Sequence, residues 1–309
     1  MEYTGYRLHF PVGIHIGKGS LEDGAISFGA DTLFSALCIE ANKRGEEELE
    51  RLISLVKNEK LVLSDAFPYI AERLYLPKPV MHIWGDGQGS SVEKKAFKQL
   101  EYLPVECLEE YLAGQLDAAV EVNYFKNYFG KMTLKVSAAV RGEEETVPYR
   151  IGMYQFEEGA GLYIIVGYEQ KDELTFVEEL LIGLSYEGIG GKRSSGMGRF
   201  ELLPLQLDHT LQERLGKTAY YHMSLSVCLP MEEELEVALN GACYMLEKRS
   251  GFVVSETYAD TLLRKKDLFV CRAGACFRHT FHGDVYDVSV HGRHPVYRYA
   301  KPLFMGVDV

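Results

Sequence analysis

The chain has 309 residues, 47% of them hydrophobic and 25% charged, which is the composition of a soluble globular protein of about two domains. A formal net charge of −12 argues against a body that coats nucleic acid along its whole surface, so any RNA contact has to be a local basic track. No apolar run reaches the ~20 residues of a membrane span, no signal peptide is visible, and six scattered cysteines without a CxxC suit free buried thiols in a reducing cytoplasm.

Residues 8–12 read as a first strand, ended by Pro11 and Gly13, and a small glycine loop holding His15 and Lys18 follows. Asp31 stands where an N-cap is expected for a helix over 32–44, with Leu33, Leu37 and Ala41 on one face and Gly45 as its stop. A second amphipathic helix covers 46–58 and a short strand 61–63. The proline-rich stretch 76–80 is an extended connector, 85–91 a flexible loop and 93–112 a charged helix.

Within 123–141, Tyr124, Phe125, Tyr128 and Phe129 interleave with Lys126 and Lys131. Lys131, Thr133, Lys135 and Ser137 then alternate with Met132, Leu134, Val136 and Ala138, which at period two makes a strand with one cationic and one apolar face. An acidic turn at Glu143, Glu144 and Glu145 leads to a partner strand at 148–156. The cationic face is either solvated or pressed on a phosphate backbone. A strand at 162–168 and a helix at 172–185 follow.

That helix runs into Gly188-Ile-Gly-Gly-Lys-Arg-Ser-Ser-Gly-Met-Gly-Arg199. Gly188, Gly190, Gly191, Gly196 and Gly198 allow positive φ and close backbone approach, while Lys192, Arg193, Ser194 and Ser195 suit phosphate oxygens. The helix-then-strand order is the reverse of a P-loop. A strand at 199–203 completes a βαββαβ order interrupted by a long insertion. Beyond 205 a second unit is expected, with strands at 220–229, 242–247, 268–281, 284–290 and 302–309 and an acidic helix at 231–239. Lys248, Arg249, Ser250 and Phe252 repeat the glycine loop's chemistry in miniature.

Metal chemistry is not expected. Cys276, His279 and His282 cannot converge from a strand, and His291 with His294 is a bare HxxH. His15 is the candidate base for a ribonuclease acting on a 2′-hydroxyl, against the plainer reading of a hydrogen-bonding loop histidine.

The chain resembles the guide-capping RAMP subunit of the type III-A CRISPR effector. The likeness is carried by Ala30-Asp-Thr-Leu-Phe-Ser-Ala-Leu37, Ser64-Asp-Ala-Phe-Pro-Tyr69, Leu76-Pro-Lys-Pro79 and Gly159-Ala-Gly-Leu-Tyr163. The glycine-rich loop, Lys248-Arg-Ser-Gly-Phe252 and Tyr299-Ala-Lys-Pro-Leu-Phe304 complete it. The resemblance implies an α+β chain of two ferredoxin-like (RRM-related) domains, 1–206 and 207–309, with a β-hairpin thumb inserted at about 81–147. It implies a non-catalytic, cytoplasmic, cofactor-free subunit that grips the 5′ tag of CRISPR RNA and meets a large polymerase-like subunit and a backbone RAMP subunit. The RNA contacts expected on this basis are the glycine loop with Arg249, Ser250 and Phe252, and secondarily His15, Lys18, Lys131 and Lys135. The alternatives are a metal-independent guide-processing ribonuclease using His15 and a protein–protein adaptor. Aspartate near the first helix cuts RNA in the backbone subunits. The context of Asp31 follows the capping pattern, so that activity is not expected here.

Overall fold

The computed structural model describes residues 1–83, 91–139, 147–255 and 257–308. The first unit begins with β1 (Glu2–His9), a two-residue hairpin of β2 (Ile16–Gly17) and β3 (Gly24–Ala25), then α1 (Ala30–Arg44) and α2 (Glu46–Lys57). It continues with β4 (Leu61–Leu63), β5 (Phe67–Ile70), β6 (Arg73–Pro77), α3 (Ser91–Gln99), β7 (Tyr102–Pro104), α4 (Leu108–Leu112) and α5 (Ala118–Tyr128). The hairpin of β8 (Gly130–Ala139) and β9 (Val147–Phe156) leads to β10 (Ala160–Tyr168), α6 (Lys171–Glu187) and β11 (Glu201–Leu205).

These strands form a sheet in the order β11-β1-β10-β5-β6-β7, with β4 also on β10. All nine residues of β10 are buried, because both faces of the sheet are covered. On one face Leu33, Phe34, Leu37 and Ala41 of α1 pack with Val177, Leu181 and Leu184 of α6. On the other, Phe67, Tyr163 and Ile165 meet Leu103 and Leu108 and also Met223, Leu225 and Met305 of the C-terminal part.

The second unit comprises α7 (His209–Arg214), β12 (Tyr221–Ser224), α8 (Leu235–Ala238), β13 (Leu246–Arg249), β14 (Leu268–Cys271), β15 (Cys276–Phe277), β16 (Asp284–Asp287), β17 (Tyr297–Ala300) and β18 (Phe304–Val307). β18 pairs with β12, β12 with β15, and β13 with β14, while bridges join Cys228 to Cys271 and Cys243 to Cys276. Read across, the neighbours are 304–307, 221–228, 268–277 and 243–249. That repeats the order β11, β1, β10, β4/β5 of the first sheet. Where the first unit has α6, the second has the β16–β17 hairpin.

Several expectations need correction. The first strand lies earlier, at Glu2–His9, so that Tyr6 and Leu8 reach the core. The charged stretch 93–112 is not one helix: β7 and a 3-10 turn break it, and Pro104 explains the break. Of the interleaved aromatics, Tyr124, Phe125 and Tyr128 belong to α5, where Tyr102 stacks on Phe125 and Tyr75 meets it edge-on, and Phe129 at the helix end is fully buried. Proline-rich 76–80 is partly strand, as β6 extends to Pro77. The expected acidic turn at 143–145 and most of the loop at 85–91 lie outside the described residues. Both 46–58 and 172–185 are helical as expected, as α2 and α6.

Asp31 does not cap α1. Gly29 occupies the N-cap and Asp31 sits buried in the first turn. The open N–H of Ala30 is instead met from outside the helix by Asp65 Oδ1 at 2.7 Å. The same oxygen accepts the Val227 N–H at 2.9 Å, so one carboxylate ties α1 to the second unit.

Candidate nucleic-acid groove

Gly188 ends α6 at φ 85°, and the chain then turns back on itself through Ile189 and Met197, both buried. The Ile189 N–H donates to Gly198 O at 2.9 Å, closing the base of the loop. A Cβ on Gly198 would lie 2.0 Å from Ile189 O at φ 78°, so only glycine fits there. The loop is also stitched to the smaller glycine loop: Gly191 N–H donates to His15 O at 2.8 Å and Gly198 N–H to Gly13 O at 2.9 Å. At the tip Lys192 is left-handed at φ 59° and Arg193–Ser195 make a 3-10 turn.

This differs from a loop of free N–H groups. Those of Ile189, Gly191, Ser195, Gly196 and Gly198 all have backbone acceptors, so the backbone sets the loop's shape and the side chains at its tip meet solvent. Ser194 and Ser195 are exposed, although the Ser195 hydroxyl donates to Lys192 O at 2.8 Å. The Lys192 ammonium lies 4.9 Å from the ring centre of Tyr149 on β9, which joins the loop to the hairpin. Tyr149 faces Ser137 and Ile151 faces Lys135 across the β8–β9 ladder, so Lys135 and Lys192 lie on the same side of the hairpin. Lys135 is exposed, whereas Lys131 forms an ion pair with Glu157 at 3.4 Å.

Beside the loop runs a groove of about 1000 Å³. One wall is the outward face of α1 (Thr32, Ser35, Ile39) with Gly188, Gly190 and Arg193. The other is Ser250, Gly251 and Phe252 with residues of the 294–298 segment. Phe252 is half exposed, with the Arg264 guanidinium 5.9 Å from its ring centre.

The floor is charged. Asp31 accepts from Arg298 at 2.8 Å and lies 3.5 Å from Arg249, while Lys265 also lines the groove. Burial lowers the Arg298 pKa, and burial with the Arg298 charge lowers that of Lys265. Burial also pushes the Asp65 carboxyl up to about 7, against the pull of Arg249 and two backbone N–H groups. Arg298, Arg249 and Lys265 therefore gather around Asp31, and Arg249 also lies 3.5 Å from Glu247, so cations outnumber carboxylates at the floor.

The sequence-derived candidates thus fall into three groups. Gly188, Gly190, Arg193, Ser250 and Phe252 meet in the groove, with Lys192 at its margin. Arg249 points inward to Asp31, and neighbouring Lys248 is paired with Asp267 at 2.7 Å. His15 is buried, with Nδ1 donating to Gly152 O at 2.5 Å, and Lys18 is exposed on the smaller loop. Arg298 and Lys265 went unnoticed because nothing local marks them: they reach the floor only through the second unit's fold.

Comparison with known proteins agrees over the whole chain. A family model described as the CRISPR Csm4 C-terminal domain matches residues 217–307. The CRISPR system Cms protein Csm4 of Mycobacterium tuberculosis (strain ATCC 25618 / H37Rv) is 40% identical over 294 residues, covering 95% of this chain and 94% of the relative. That of Streptococcus thermophilus is 33% identical over 321 aligned positions, covering both chains completely. The crystal structure of a Csm3–Csm4 subcomplex of the type III-A interference complex contains a chain similar in fold, at TM-score 0.67 and 20% identity, covering 98% of each chain. A Csm1–Csm4 cassette in complex with cA4 contains another, at TM-score 0.58 and 17% identity, covering 99% of this chain and 97% of that one.

A mixed α+β chain with these relatives is a component of a CRISPR effector. Identity of 40% across nearly its full length makes the assignment specific. The chain belongs to the Csm4 family of the type III-A Csm complex.

Proposed function

We propose that the chain is a non-catalytic subunit that holds the 5′ repeat-derived tag of CRISPR RNA in the groove between the glycine loop and Ser250–Phe252. In this reading the repeated strand order marks two ferredoxin-like units and the β8–β9 hairpin is a thumb lying along the guide. The chain also joins a Csm1-like large subunit to a Csm3-like backbone subunit, a role supported by the Csm3–Csm4 and Csm1–Csm4 pairings of the solved relatives.

The observation that carries this reading is the meeting of two distant loops across one groove with a cationic floor in a chain of net charge −12. A single-stranded tag needs phosphate contacts and a flat ring on which a base can stack. Arg193 with Lys192 supplies the first, over the buried cations of the floor, and half-exposed Phe252 the second. The ribonuclease alternative asks His15 for an accessible base, but its ring lies under Gly191, where an added Cβ would come within 2.8 Å of Cδ2.

The test is binding of tag RNA to the purified chain across a salt series. Affinity should fall as salt rises, with a slope near −0.7 per phosphate contact. Lys192→Ala with Arg193→Ala should flatten that slope. Equal affinity for tag and unrelated strands reduces the claim to non-specific binding. Cleavage of repeat RNA in EDTA that disappears in His15→Ala overturns it in favour of the nuclease.

A further inference from the structure

Four of the six cysteines face one another in two cross-strand pairs of the second sheet, at Cys228–Cys271 and Cys243–Cys276. Each pair exchanges both backbone hydrogen bonds, at 3.1 and 2.8 Å for the first and 2.8 and 2.9 Å for the second. In such a pair the Cα atoms lie about 5.5 Å apart and both side chains leave the sheet on the same side. That separation falls within the ~4.4–6.8 Å of Cα spacing spanned by disulfides, so a bridge at either pair requires the two Cβ atoms to draw together by about 1 Å.

We propose that Cys228 and Cys271 form a redox-modification site that a small hydroperoxide converts to a cross-strand disulfide, a property independent of how the groove is used.

The two pairs differ chemically. The neighbouring Cys228 thiol lowers the Cys271 pKa, while burial holds Cys228 protonated. Cys271 is therefore the nucleophile and Cys228 the adjacent resolving thiol. In the second pair burial pushes Cys276 up to about 12. Both sulfurs of the first pair are buried against Ala238, Ala275, Phe277 and Phe281. Their cover includes α8, a four-residue helix, an element short enough to open locally and admit a small oxidant.

The Cys271 thiolate attacks one peroxide oxygen, the O–O bond breaks, and the alkoxide leaves as an alcohol after taking up a proton. The Cys228 sulfur then attacks the Cys271 sulfenic acid. The S–S bond forms, the S–O bond breaks, and water departs with the Cys228 proton. Two thiols are oxidised by two electrons and one hydroperoxide is reduced. The bridge would pin 221–228 to 268–277, the strand that carries β13 and the Ser250–Phe252 lip beside it.

The test is peptide mapping of the full-length reduced chain after brief exposure to hydrogen peroxide, without reduction before digestion. The expected result is a mass loss of ~2 Da from a crosslinked pair containing Cys228 and Cys271, restored by dithiothreitol. Cys243→Ala should leave that product unchanged, while Cys228→Ala should give a Cys271 sulfenic acid that dimedone traps. A main linkage between Cys243 and Cys276, oxygenated Cys271 in the wild-type chain without linkage, or full retention of free thiols would each overturn the proposal.

Discussion

The loop at 188–199 and the segment 248–252 look alike in sequence, each offering two cations, a hydroxyl and glycine, yet the fold uses them differently. In the first, backbone hydrogen bonds and glycines that tolerate no Cβ set the shape, leaving Lys192 and Arg193 at the surface. In the second, Lys248 is engaged by Asp267 and Arg249 by Asp31, so the segment contributes Ser250 and Phe252 to the groove while its charges serve the interior. The lesson is that a cation counts toward recognition only after its intramolecular partners are known. A buried guanidinium beside a carboxylate can be essential to the site and never touch the ligand.

Asp31→Ala is the most severe challenge to that contrast. It leaves Arg298 buried without its carboxylate and Arg249 with Glu247 alone, which should cost about 3–5 kcal/mol in chemical denaturation. A loss under ~1 kcal/mol would contradict the structural role given to this ion pair. Gly198→Ala comes next: its Cβ collides with a backbone carbonyl at positive φ, so a loss on the order of 3 kcal/mol and of RNA binding is expected.

Asp65 tests the joint between the units. Its folded pKa of about 7 exceeds the ordinary 3.8, so the folded state holds the proton more tightly. Its contribution is fully present below pH 3.8 and is lost as pH rises through 7. Asp65→Asn should therefore flatten the fall in unfolding free energy between pH 3.8 and about 7, and an unchanged slope would place the titration elsewhere.

Smaller effects separate the two cation-bearing segments. Arg193→Ala should weaken tag binding about tenfold, the scale of one charge-assisted contact of ~1.4 kcal/mol. Lys248→Ala, which removes only an exposed ion pair, should change binding by less than about threefold and stability by under ~1 kcal/mol. Comparable binding losses from both would erase the distinction drawn above.

Much of this organisation was legible in the chain itself. Amphipathic spacing located α1, α2 and α6, and strict alternation located the β8–β9 hairpin. The glycine-rich loop stood out by composition. The aromatic run at 124–129 carries no legible element of its own, because Tyr124 and Tyr128 pack on each other at helical spacing while Phe125 packs on Tyr102, more than twenty residues away. The cationic floor was illegible for the same reason. Lys265 and Arg298 come from segments far beyond α1, and only the packing of the second unit sets them opposite Asp31. Local chemistry is written locally, whereas a groove between two units depends on contacts that no window of sequence contains.

The most direct test is photocrosslinking of CRISPR RNA carrying 4-thiouridine in its 5′ tag to the assembled complex, followed by peptide mapping. The account predicts adducts at Phe252 and within 192–195, and none on Lys248 or Arg249. Adducts confined to the surface away from the groove, or absent from this chain while present on its partner subunits, would contradict it.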